Sequence, residues 1–166
     1  MSKIVNEPKI KNALIKAVRE QLEHRALWLY LLCDEARKQG LQPDAFAPEA
    51  IRRCGIYQGS ELVKKGSTTS LTGLKKALFT KPAQWVFEMK IRKCTDDQLY
   101  IDFHYCPLVK SWQKQGCNDE EISSLCDFAM CGDRGIAESY GCELSLPKTL
   151  AKGDSKCEIR FDRKPE

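Results

Sequence analysis

No stretch of this sequence has the makings of a membrane span or an export signal. The longest apolar run, Ala26 to Cys33, falls far short of the roughly 20 residues that cross a bilayer. The opening Met-Ser-Lys-Ile-Val-Asn-Glu-Pro has no apolar segment followed by a small-residue cleavage site. The expectation is a cytoplasmic protein without a membrane partner. A phosphate-cradling glycine loop, a Gly-x-Ser-x-Gly elbow and a His-Glu-x-x-His helix are also missing, so nothing points to nucleotide, serine-hydrolase or zinc-protease chemistry. Charge of one sign is in small excess, 27 basic against 23 acidic residues for a net +4. The densest pairs are Lys64-Lys65 and Lys75-Lys76, and no basic run interleaves with aromatics. A solvated surface is expected, not a nucleic-acid footprint. There is no internal repeat, low-complexity tract or linker.

What is present suits one domain over residues 1–166. A chain of 166 residues, 42% apolar, can bury about 70% of its unfolded surface. Cysteine is abundant, at nine. An odd count without an export signal argues against a disulfide framework. Buried thiols, a metal site or a reactive thiol remain open.

The first half, about residues 8–80, reads as helical. Pro8 suits a first helical position and Gly40 a stop, with Leu14, Val18, Leu22, Ala26 and Leu29 as the stripe between. Pro48 opens a second helical segment through Arg53, and Gly55, Gly59 and Gly66 make the stretch after it weak or broken as helix. Leu71 to Phe79 can form a short third helix. The period then changes to two. Trp85, Phe87, Met89 and Ile91, then Leu99, Ile101, Phe103 and Tyr105, mark two strands of a hairpin. A three-residue loop opposes Ile91 to Phe103 and Arg92 to Asp102, with Lys90 facing His104. A two-residue loop opposes Ile91 to Asp102 and is rejected. Pro107 starts a short helix to Gln115. Asn118 to Glu121 forms a capping box for a helix that runs to Tyr140 and stops at Gly141. Cys142 to Leu146 and Lys156 to Asp162 close the chain as a strand pair around Gly153-Asp154. The strand hairpin, capped helix and closing hairpin thus occupy about residues 84–162. The fold class is α+β: an antiparallel sheet packed against several α-helices.

Three places can carry chemistry. Asp133 falls in the middle of an apolar stripe formed by Ile122, Leu125, Cys126, Ala129, Ile136, Ala137 and Tyr140. A carboxylate there is paired, hydrogen-bonded or protonated. It is either an acid or base in a pocket or a structural group satisfying backbone N–H or Arg134. Asp102, His104 and Cys106 alternate along a strand and share a face. That is a possible acid, imidazole and thiol set, although i and i+2 side chains lie about 7 Å apart. The alternative is a partly solvated face with an Arg92–Asp102 pair. A zinc site drawn from His104, Cys106, Cys117, Cys126, Cys131, Cys142 and Cys157 is weaker. Cys126 and Cys131 point to different sides of a helix, and close Cys pairs of the zinc type are absent. No cofactor is expected.

The residues now named carry a family resemblance. His104-Tyr105-Cys106-Pro107-Leu108-Val109-Lys110-Ser111-Trp112 resembles the Cys-Pro segment of the L-2-amino-thiazoline-4-carboxylic acid hydrolase family. Leu125-Cys126-Asp127 with Gly132-Asp133-Arg134-Gly135-Ile136-Ala137-Glu138 is similar to its signature helix. Gly153 to Phe161 is similar to its terminal hairpin, and also to the ending of vinyl-reductase-type small-molecule-binding domains. The resemblance spans about residues 84–162. It implies helices packed on an antiparallel sheet, as in ligand-binding domains of the vinyl-reductase and transport-particle type. It also implies hydrolytic opening of 2-amino-thiazoline-4-carboxylate to a carbamoyl-cysteine. Under it, Cys106 with His104 supplies the base or nucleophile, Asp133 engages the amidinium, and Arg134 pairs with the substrate carboxylate. Asp102 and Cys126 are further substrate contacts. Two functions are compatible with these residues: a C–N or C–S hydrolase of a small cyclic amidine, or a non-catalytic domain holding a small apolar or carboxylated ligand. A homodimer is compatible with either.

Overall fold

The computed structural model describes residues 2–163. Helix α1 (Ala13–Lys38) is followed by α2 (Ala47–Gly66), α3 (Leu71–Ala77) and α4 (Lys81–Val86). Strands β1 (Met89–Cys94) and β2 (Gln98–Phe103) form a hairpin. Next come α5 (Pro107–Lys114) and α6 (Asp119–Ser139), and the chain ends in β3 (Cys142–Lys148) and β4 (Cys157–Arg163). The strands make one antiparallel sheet in the order β1-β2-β4-β3. The α+β expectation holds.

Alternation places Leu99, Ile101, Ile159 and Phe161 on the sheet face that meets Leu71, Leu74, Ile136 and Tyr140 of the helices. A second apolar cluster joins α1, α5 and α6 through Ala26, Val109, Trp112, Ile122, Leu125 and Phe128. Trp112 is fully buried and donates from Nε1 to the Ala26 carbonyl at 3.0 Å. The start of α6 is as the sequence dictates. Glu121 N–H donates to Asn118 Oδ1 (2.9 Å) and Asn118 N–H to Glu121 Oε2 (2.8 Å), closing the capping box. Gly141 ends the helix at φ +64.

Four expectations are corrected. Helix α1 begins at Ala13, not Pro8, because Asn12 Oδ1 takes the Ile15 N–H and caps it. Residues 2–11 form neither helix nor strand, and Arg19 and Glu88 tie down residues 9 and 10. Arg19 donates to the carbonyls of Ile10 (2.8 Å), Val86 (2.8 Å) and Trp85 (3.0 Å), pairs with Glu88 (3.1 Å) and stacks 4.4 Å over the Tyr105 ring.

The stretch after Arg53 is not broken. Helix α2 continues through Gly55 and Gly59 to Gly66, because Gly55 and Gly59 are contact points with α6. A Cβ on Gly55 would sit 1.9 Å from the Gly132 carbonyl oxygen, and one on Gly135 would sit 2.2 Å from the Arg52 carbonyl oxygen. The two helices touch backbone to backbone, a small-residue crossing that repays the lost helix propensity.

Residues 81–86 are helix α4, not strand, with Pro82 in its first turn. The hairpin uses the two-residue turn that parity had excluded. Thr95 N–H donates to the Gln98 carbonyl at 2.8 Å, and Cys94 faces Leu99. A bulge between Ile91 and Lys93 then absorbs one residue, so Ile91 faces Ile101 and Lys90 faces Asp102. Arg92, displaced by the bulge, still reaches Asp102 at 2.6 Å.

Gly55→Ala should therefore cost at least about 3 kcal/mol, beyond ordinary overpacking because backbone is what it strikes. Gly66→Ala, with only Thr68 Cγ2 at 3.6 Å, should change stability by less than about 1 kcal/mol. Urea unfolding of both variants checks the contrast.

Candidate functional site

Cys106 is the residue on which both apolar clusters converge; it packs against the sheet cluster and against the α1–α5–α6 cluster. It is the N-cap of α5, with φ −133 and ψ 113. Pro107 favours that extended conformation in its predecessor and supplies a helix-ready φ of its own. The sulfur makes no capping hydrogen bond to α5, but it lies at the start of the helix, where the N–H groups of Val109 and Leu108 favour the thiolate. Burial is the larger effect, and the thiol ends above its ordinary value.

The charge of Asp133 raises the thiol further, while that of Arg25 lowers it. On α6, Gly132 and Gly135 are turned to α2. At 100° per residue, Asp133 points roughly 130° away from the middle of that contact. Burial raises its carboxyl to about 6, opposed first by Arg25 and less by Arg134. Cys106 and Asp133 both keep some accessible surface while enclosed by protein. Two more thiols adjoin. Cys126 and Cys157 both feel Cys106; burial pushes Cys126 well up and Cys157 to about 12. The Cys157 sulfur also accepts the Leu150 N–H at 3.3 Å. These two are neutral, apolar walls.

The other expected site residues stand elsewhere. Strand β2 ends at Phe103, so alternation does not carry Asp102, His104 and Cys106 onto one face. Asp102 is 4% exposed and lies on the face of β2 opposite Ile101, where it accepts from Arg92 (2.6 Å) and Lys156 (2.8 Å). Burial raises its carboxyl, but the Lys156 and Arg92 bonds outweigh this and hold it below the usual range. His104 is partly exposed and its backbone N–H donates to the Glu88 carbonyl at 3.3 Å. Its ring has no hydrogen-bond partner among the described residues. Arg134 reaches the Asp127 carbonyl (3.4 Å) and the Cys131 sulfur (3.7 Å). Among the described residues, no three His, Cys, Asp or Glu side chains are grouped as a metal site, and no helix is long and apolar enough to cross a membrane. Two surface clefts, of about 410 and 360 Å³, do not contain the pair. The first lies beyond Tyr105, between α1 and α5. Being open and ionic, it is the less suited to chemistry that needs a perturbed group.

Sequence reasoning missed Arg25, an exposed residue of α1 beside the unremarkable His24. Only the packing of α1 across α5 shows it. It also missed Asn6, whose side chain bonds twice to the Cys106 backbone. Nothing in the local pattern marks that residue.

A four-stranded antiparallel sheet with helices on it, and an enclosed thiol where the two cores meet, define the class of α+β domain. The chain belongs to the L-2-amino-thiazoline-4-carboxylic acid hydrolase family, whose model matches residues 19–161. Comparison with curated proteins finds no match. Among solved structures it is similar to the crystal structure of a trafficking protein particle complex subunit 3 from Naegleria fowleri, covalently bound to palmitic acid. That likeness has a TM-score of 0.52 at 16% identity and covers 86% of this chain and 95% of that one; it is a likeness of fold.

Asp133 has a stability consequence. Its folded value of about 6 lies above the ordinary 3.8. The folded state therefore resists ionisation, and stability falls as pH rises from about 4 to 6, then stays level. The penalty is on the order of 3 kcal/mol. Asp133→Asn should be more stable than wild type at pH 8, by up to about that amount, and equal to it at pH 4. Urea unfolding at the two pH values tests this; an equal difference at both would remove the raised carboxyl.

Proposed function

We propose that the protein hydrolyses a small cyclic amidine of the 2-amino-thiazoline-4-carboxylate type to a carbamoyl-cysteine. The observation that supports this reading is the enclosed Cys106, N-cap of α5 and packed against both apolar clusters, with the charges of Asp133 and Arg25 within electrostatic reach, in a chain of this family. Asp133, ionised above about pH 6, takes the Cys106 proton. The sulfur attacks C2 of the ring, and the C2–S bond breaks with that proton returned to the leaving sulfur. Water, deprotonated by Asp133, then adds to C2. The Cys106 sulfur leaves with the proton, giving N-carbamoyl-cysteine; cleavage of C2–N would give the S-carbamoyl isomer. A carboxyl near 6 suits proton transfer in both directions at neutral pH, and burial keeps it from being levelled by water. The first-turn N–H groups of α5 offset part of the burial that disfavours the thiolate. Arg25 pairs with the substrate carboxylate, a role Arg134 fills less well because its guanidinium is turned to the Asp127 carbonyl. Cys126 lines the site; His104 and Asp102 do not act in this reading.

A second reading is a non-catalytic binding domain. The apolar residues that meet at Cys106, and the fold shared with a subunit that holds palmitic acid covalently, favour an acyl or small carboxylated ligand there. A cytoplasmic location fits nine unpaired cysteines. A second copy of the chain is the occupant we propose for the α1 face that exposes Leu14, Val18, Trp28 and Leu32.

Mass spectrometry of 2-amino-thiazoline-4-carboxylate after incubation with protein decides between the readings. Ring-opened product from wild type is expected, with loss to background in Cys106→Ala and a fall of at least about 100-fold in Asp133→Asn. The acid limb of kcat/KM should lie near pH 6. No turnover by folded protein, with an acyl mass on Cys106 released by hydroxylamine, would overturn hydrolysis in favour of binding.

A further inference from the structure

Residues 2–11 lie outside the segment that the family model matches, which begins at residue 19. They form neither helix nor strand, yet they are pinned along their length. The Ser2 hydroxyl (2.5 Å) and Lys3 N–H (2.8 Å) donate to Asp119. Ile4 enters the α1–α5–α6 core, and its carbonyl accepts from Gln113 at 3.1 Å. Glu7 pairs with Lys110 at 2.7 Å. The Lys9 and Ile10 N–H groups donate to Glu88 at 2.6 and 2.8 Å.

In the middle of this strap is Asn6, 2% exposed. Its Nδ2 donates to the Cys106 carbonyl at 2.8 Å, and Cys106 N–H donates to its Oδ1 at 2.9 Å. An amide is the group that can meet a backbone N–H and C=O at once, and the reverse orientation would oppose donor to donor. The Cys106 carbonyl also accepts the Lys110 N–H that opens α5, at 3.1 Å. Proline restricts one side of Cys106; Asn6 fixes the other and shields both backbone groups from water.

We propose that Asn6 is a positioning residue, holding the Cys106 thiol at the start of α5 so that its thiolate is accessible to chemistry. This deepens the hydrolase reading and rests on it for its purpose, but not for its test. Without the clamp, the 105–106 peptide turns, and the sulfur loses the N–H groups of Leu108 and Val109 while its apolar surroundings remain.

The test is the pH profile of Cys106 alkylation by iodoacetamide, read by peptide mapping in the full chain, with exposed Cys54 and Cys94 as internal standards. Asn6→Ala should move the Cys106 midpoint up by about one pH unit, a tenfold loss of thiolate at a given pH below it, whichever way the plateau rate moves. Asn6→Ser, whose shorter hydroxyl cannot meet both backbone groups, should also move it up and decides the matter if the alanine variant unfolds. Asp119→Ala removes both acceptors for residues 2 and 3 but leaves Asn6 and the anchors at residues 7, 9 and 10, and should move the midpoint far less than Asn6→Ala does. An unchanged midpoint in both Asn6 variants, or a shift in Asp119→Ala equal to that in Asn6→Ala, overturns the proposal. Alkylation involves no substrate, so the two ideas fail separately. A shifted midpoint without wild-type turnover sinks the hydrolase and leaves the clamp; turnover without a shift does the reverse.

Discussion

The site depends on one contact: the backbone of α2 lying against the backbone of α6. Gly55 and Gly135 admit no side chain because the Gly132 and Arg52 carbonyls occupy the space. Such a contact fixes the rotation of α6 about its own axis more tightly than interdigitating side chains would, since glycine faces leave no rotamer to adjust. Once that rotation is fixed, Asp133 cannot face α2. It is carried to the inner side, where Cys106 and the α1 residue Arg25 are within electrostatic reach. The glycines flanking Asp133 are thus part of the site without touching anything that reacts.

The same enclosure raises both groups, and the two effects compete. A carboxyl at about 6 is half ionised at that pH and mostly ionised at neutrality, so it exchanges protons readily. A thiol raised by burial and by its carboxylate neighbour is a poor nucleophile until something removes the proton. The two effects are linked, since the Asp133 charge that disfavours the thiolate is itself held back by burial. Arg25 opposes both shifts, favouring the carboxylate and the thiolate alike. With an exposed guanidinium its effect is screened, and an anionic substrate that covers it would change the balance of the whole site.

Much of this was legible in the sequence, because the rules that act within one element are local. The capping box at Asn118, the stop at Gly141 and the awkward place of Asp133 on an apolar stripe are all set by spacing along α6. What was not legible needed a second element. Gly55 and Gly59 read as helix breakers until α6 is seen to lie against them. The hairpin parity argument failed because a bulge at Arg92 supplies a residue that alternation cannot foresee. Helix α4 was hidden by aromatic residues whose alternation mimics a strand. His104 and Asp102 were grouped with Cys106 by a period of two that stops at Phe103.

Asn6 is the sharpest case, since a hundred residues separate it from the backbone it holds. Its place is set by anchors on either side: Asp119 at the start of α6 holds residues 2 and 3, and the Glu88–Arg19 pair holds residues 9 and 10. Asp119 belongs to the capped first turn whose helix carries Asp133, and Arg19 belongs to the helix that carries Arg25. The strap therefore links both helices that supply the charges to the residue that supplies the thiol. A displacement of either helix is transmitted to Cys106 through two short hydrogen bonds instead of being lost in a flexible loop. The position of the thiol relative to Asp133 and Arg25 is then set by a closed circuit of anchored backbone, which is the property that a site built from three separate elements requires.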